Sequence, residues 1–259
     1  MSAIGIDGNL DRARIRLLLV VGLIGSVLTG AGDFLLGFGD ELPSANLAED
    51  LMASVPNLAD WQLVCGGFFG VVGIFMEGIA FFAVYRLMAD SAPRMARVFR
   101  AGIFGYIWLA PVGCHLNIGV MNFAYKYLLQ ADPSVASQVA EPMIWWFCAP
   151  VYALLCLFWI PMIVVQWRAF AKGFTPYPAY AKWFNLIVGA VPCLVVSALV
   201  GFDSALGAGI GTMFLSWGNA LMFGGLLATL PSEARFVEFK AQIPSSRTGP
   251  AMRFPGEAI

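Results

Sequence analysis

Six apolar runs, separated by short segments that carry nearly all the arginine and lysine, constrain this chain more than any other feature. The hydrocarbon core of a bilayer is about 30 Å thick, so a helical crossing takes roughly 20 apolar residues at about 1.5 Å each. The runs cover residues 17–38, 61–87, 98–128, 143–166, 183–202 and 205–230. Composition agrees with lipid as the solvent. Of 259 residues, 59% are hydrophobic and 12% are charged, with mean hydropathy +0.77. A water-soluble domain carries about 25% charged residues, so this surface could not be covered for water.

Positive charge marks the cytoplasmic side of a membrane protein, and it orients the runs independently. Arg12, Arg14 and Arg16 precede the first; Arg86, Arg94, Arg97 and Arg100 separate the second from the third; Arg168, Lys172 and Lys182 separate the fourth from the fifth. Arg235, Lys240, Arg247 and Arg253 follow the sixth, which leaves Lys126 alone on the opposite face. The expected fold is therefore all-α: a polytopic bundle of six transmembrane helices with both termini cytoplasmic. It divides into a cytoplasmic segment (1–16), the membrane domain (17–230), and a juxtamembrane helix with a disordered tail (231–259). The cell membrane of a bacterium, its inner membrane, is the expected location. A signal peptide has an apolar core of about 7 to 15 residues and a small-residue cleavage site. The first run is longer and ends in Asp33, Phe34 and Leu35, so it reads as a retained helix.

The first external loop carries five acids and no base, and spaces Leu47, Leu51 and Val55 as one helical stripe. It reads either as a short surface helix over the bundle mouth or as a solvated connector. After the sixth run, Phe236, Phe239 and Ile243 share one face, as on a helix lying along the membrane surface. Gly66 and Gly70 have the spacing that lets membrane helices approach closely, and such Gly-rich helices also offer a surface for oligomerisation. Pro111, Pro150, Pro161 and Pro192 lie within the third to fifth runs, where each removes a backbone hydrogen bond. The five cysteines form no CxxC pair, and a single histidine cannot build a multi-histidine metal centre, so no metal and no cofactor are expected. The basic residues track the membrane boundaries, which leaves no basic patch for nucleic acid.

Depth can be counted from the basic residues. Asp33 lies about 25 Å above Arg16 and His115 about 22 Å above Arg100; Glu77 lies about 13 Å from Arg86 and Asn219 about 17 Å from Pro231. Two polar levels result, with Asp33 and His115 in the upper and Glu77 and Asn219 in the lower. An ionisable side chain at mid-bilayer costs about 2.5 to 3.5 kcal/mol, so these groups should face the bundle interior and find partners there. Asp33 with His115 is the natural upper pair. Asn122, seven residues after His115, shares its face, whereas Asn117 is rotated away to another contact. Asp203 and Asn122 fall near the outer boundary, within reach of water.

The stretch GAGDFLLGF, the acidic loop, the span opening at Trp61 and the single His115 in the third run together resemble an uncharacterised family of bacterial six-span membrane proteins. The resemblance covers roughly the first 130 residues and rests on GDFLLG. It implies that Asp33 and His115 are signature positions, and it supplies no reaction.

Three function classes compete. The first is a membrane enzyme doing acid–base chemistry on a lipid-soluble small molecule, with Asp33, His115 and Glu77 catalytic and Asn219, Trp217, Asn122 and Asp203 binding ligand. Ser26 and Ser216 have no recognisable nucleophile context. The second is a proton-coupled transporter or a ligand-binding membrane protein, for which buried Asp, Glu and His are usual relay groups, although the halves show no inverted repeat. The third is a structural or assembly protein of the membrane. Neutral amides would join helices more cheaply than ionisable groups do, which ranks the third reading below the first two.

Overall fold

In the computed structural model, which describes residues 9–42 and 50–243, the chain is all-α. Its helices are α1 (Arg12–Gly37), α2 (Asp60–Met88), α3 (Pro93–Ala131), α4 (Pro133–Ala171), α5 (Leu186–Val200), α6 (Ala205–Thr212), α7 (Phe214–Ala228) and α8 (Glu233–Gln242). The first four are long and apolar enough to cross a membrane. The pair α6 and α7 makes a fifth crossing if taken together, and α5 is apolar but shorter, at 15 residues. Large apolar side chains stand outward, among them Trp108 (77% exposed), Trp146 (77%) and Leu199 (82%). In water that surface would drive aggregation; in lipid it is the solvated face.

Helix ends follow local chemistry. Asp11 caps α1 by accepting from the backbone N–H of Ala13 and Arg14. Asp132 opens α4 in the same way, and the Ser134 hydroxyl, with the N–H groups of Ser134 and Val135, holds its carboxyl below the usual range. Among the described elements, α1 and α2 share the most extensive contact, and glycine permits it. A Cβ on Gly32 would fall 2.7 Å from the carbonyl oxygen of Gly66, and one on Gly25 would fall 2.8 Å from that of Gly73. Backbones at this separation gain dispersion contacts, the main attraction available between helices in lipid.

Pro111 and Pro142 do not break their helices. α3 stays continuous through a wide, π-helical turn at Ala110–Leu116, and α4 through another at Ile144–Cys148. Among the described helices, α6 and α7 meet at a 53° bend at Met213, which contains no proline.

Two boundary features differ from the sequence reading or extend it. The loop stripe lies partly outside the described residues, since Leu47 does. The part that is described makes a 3-10 turn at Val55–Asn57, with Val55 buried and Leu51 exposed. Pro56 disfavours α-helical backbone at the residue before it, which explains the short turn. Lys126, the one base expected outside, bonds the Asp60 carboxylate at 2.7 Å and the Leu58 carbonyl at 2.6 Å. At the other end, Phe236 and Phe239 of α8 are buried against the bundle. The tail from residue 244, with Arg247 and Arg253, lies outside the described residues.

Candidate functional site

Two polar layers lie inside the bundle. In the upper one, His115 Nε2 donates to Asp33 Oδ1 at 3.1 Å, and the Ser216 hydroxyl donates to Asp33 Oδ2. Thr212 Oγ1 bonds the Asp33 backbone carbonyl at 2.8 Å, tying α6 to α1. In the lower layer, Glu77 Oε2 accepts from the Tyr106 hydroxyl at 2.5 Å and from Asn219 Nδ2 at 2.8 Å. Ser26 stands beside Glu77 but gives its hydroxyl to the Gly22 carbonyl at 2.8 Å.

The wide turn in α3 builds both layers. Tyr106 and His115 are nine residues apart, which at about 100° per residue would put them on opposite faces of an unbroken α-helix. Gly70 and Glu77, seven apart on α2, share a face. An i→i+5 turn rotates less per residue and swings His115 toward the face Tyr106 occupies, so one side of α3 meets one side of α2. There the His115 ring lies against Gly70, where a Cβ would overlap it. Its Nδ1 is buried there without a hydrogen-bond partner.

A cavity of about 540 Å³ opens above the upper pair. Asp33 and His115 are 13% and 14% exposed, and both line it. Asn122 and Tyr152 form part of the wall, and the loop contributes Asp50, Leu51 and Ser54. Glu41 sits at the rim; burial, then the charges of Asp50 and Asp203, push its carboxyl above the usual range.

The residues singled out in the sequence thus separate. Asp33, His115 and Asn122 meet at the cavity. Glu77 and Asn219 pair with each other beneath it. Asp203 is exposed outside the lining and reaches the site only through its charge on Glu41. Trp217 lies in a different apolar groove of about 350 Å³ between α1 and α7. Asn117 bonds Cys148 Sγ at 3.5 Å.

Tyr106 was missed, although the same depth count puts it about 9 Å above Arg100, within a tyrosine's reach of the lower layer. Ser216 was noted without its partner. It donates to Asp33, not to His115, so the order of a nucleophilic serine triad is absent here. Among the described residues, no group of three His, Cys, Asp or Glu side chains is placed to hold a metal ion.

Long apolar helices, an apolar exterior and a buried polar layer around Glu77 define a multi-pass membrane protein. The chain belongs to a family of unknown function, DUF6796, whose model matches residues 2–233. That match extends well past the first 130 or so residues that carry GDFLLG and His115. No curated protein and no solved structure matches the chain.

Proposed function

We propose that this is a six-span protein of the bacterial cell membrane, with both termini cytoplasmic, whose Asp33–His115 pair performs acid–base chemistry on a small lipid-soluble molecule. The observation that carries the reading is the placement of that pair in the wall of the cavity. Asp33 exchanges a proton with the ligand, His115 shares the resulting charge through Nε2, and Ser216 holds the second carboxylate oxygen in place. Asn122 offers a neutral amide from the wall. The acids Asp33, Glu41 and Asp50 line the cavity with Tyr152, Phe202 and Phe214, and among the described residues no Lys or Arg does. Negative charge beside aromatic faces suits an amine-bearing amphiphile.

The test is co-purification. Wild type extracted in mild detergent is expected to carry selectively an amine-bearing small molecule, identified by mass spectrometry, that Asp33→Asn loses while melting nearly normally. The same unselective lipid in both would favour the structural reading. A proton-coupled carrier is the second reading, favoured by the Glu77 layer beneath the cavity. Uptake of the identified molecule into proteoliposomes, driven by a pH gradient and lost in Glu77→Gln, distinguishes it.

The six-span topology adds α5 and the bent α6–α7 pair to the four long helices. It is supported by Arg12 Nε bonding the Pro231 carbonyl at 2.6 Å and by Arg86 bonding the Asn9 carbonyl at 2.8 Å, which gather the start of α1 and the ends of α2 and α7 at one pole. A cysteine at Ser134 should react with a membrane-impermeant reagent from outside, and one at Lys172 only after the membrane is opened. Labelling of the Lys172 site in intact cells would overturn this topology.

A further inference from the structure

We propose that Glu77 carries a proton on Oε1, forming a buried proton-binding site built by α2, α3 and α7, independent of what the cavity binds. Glu77 is 1% exposed. Both donors it has converge on one oxygen: Tyr106 and Asn219 Nδ2 bond Oε2. Its Oε1 is buried without a partner, and so is the Oδ1 of Asn219.

Two groups already joined by one hydrogen bond therefore each keep an acceptor that no side chain or backbone donor reaches, in surroundings shut off from bulk solvent. A proton on Oε1 gives Asn219 Oδ1 the donor it lacks and makes carboxyl and amide reciprocal partners. Exchanging the oxygen and nitrogen of Asn219 does not remove the need for a carboxyl proton, since two acceptors would then meet at Oε2; the orientation with Nδ2 on Oε2 is the one that puts that proton on Oε1. Tyr106 from α3 is the titratable group bonded to Glu77. The charged groups that also act on it are Asp33 of α1 and His115 of α3, and none of the three is a Lys or Arg that would neutralise a carboxylate. Ser26 of α1 has its hydroxyl committed to Gly22.

The site is one helical turn from the cavity pair. Ser216, which holds Asp33, and Asn219, which holds Glu77, are three residues apart on α7. A proton is thereby stored beneath the group proposed to exchange protons with ligand, in a position that survives whether or not ligand is present.

Infrared spectroscopy of the purified full chain at neutral pH, without added ligand, tests this. A neutral carboxylic C=O band is expected that moves when glutamate carboxyls carry carbon-13, an assignment made on the wild type without any substitution. The band should vanish in Glu77→Gln, persist in Asp33→Asn and rise in frequency in Tyr106→Phe, where the hydrogen bond to Oε2 is lost. Absence of a glutamate-labelled neutral band, its survival in Glu77→Gln, or an unchanged frequency in Tyr106→Phe would each overturn the proposal. Failure of ligand retention at Asp33 would not, so the two ideas fail separately.

Discussion

Gly70→Ala is expected to lower stability by about 3 kcal/mol, the upper end of the range for overpacking a well-filled interior. The added Cβ would overlap the His115 ring at Nδ1, Cγ and Cε1. The ring cannot simply swing away, because its Nε2 is held by Asp33 at 3.1 Å. Relief must come from breaking that bond or from separating α2 from α3. Gly67→Ala is the control on the same helix. Its Cβ would meet only the Gly119 Cα, at 3.9 Å, an ordinary contact. Alanine is also the better helix former by about 1 kcal/mol, so this variant should melt at or slightly above the wild-type temperature. Thermal unfolding of both in the same detergent is the measurement. Equal melting temperatures would show that His115 does not lie against Gly70.

The second large effect concerns the Asp33–His115 pair as a coupled unit. Asp33→Ala removes the acceptor of both His115 and Ser216 at once, and breaking a buried pair by removing one partner costs about 3 to 5 kcal/mol. His115→Ala should also destabilise, by leaving Asp33 with Ser216 alone. The double variant should lose less than the sum, with a coupling within about 0.5 to 3 kcal/mol, because the second substitution removes a group the first has stranded. Asp33→Asn, which keeps an acceptor oxygen for the imidazole, should lose much less. Strictly additive losses would mean that the two side chains do not depend on each other.

Depth along the bundle was legible because the helical rise is local. Each residue adds about 1.5 Å whatever surrounds it, and the cytoplasmic boundary residues Arg16, Arg86, Arg100 and Pro231 fix the zero. That count alone drew Asp33 toward His115 and Glu77 toward Asn219, pairs found at 3.1 Å and 2.8 Å. The cost of an unpaired polar group in lipid supplied the reason for them to face inward. The same count places Tyr106 about 9 Å above Arg100, within a tyrosine's reach of the lower layer.

Rotation about each helix axis was not legible in the same way. It accumulates over every turn and is reset wherever hydrogen bonding departs from i→i+4. The wide turn at Ala110–Leu116 changes which face His115 shares with Tyr106, and Pro111 alone does not say whether a helix will kink, break or widen. Trp217 shows the converse: two residues before Asn219 on the unbroken α7, about 200° around the axis, it turns to an apolar groove while Asn219 turns to Glu77, a separation the local period already implies. The bend at Met213 has no proline to announce it; the glycines of α6, Gly207, Gly209 and Gly211, weaken the helix there without fixing where or how far it bends.

The sequence by itself determined that this chain is helical, lives in lipid, and carries ionisable groups at two depths where they must pair. Only the tertiary structure decided which of them share a cavity, that Ser216 and Tyr106 complete the two layers, and that Oε1 of Glu77 and Oδ1 of Asn219 are left facing no donor. Solvent preference and rise per residue are properties of each segment alone. Azimuth, cavity shape and the balance of donors and acceptors exist only once neighbouring helices have packed against one another.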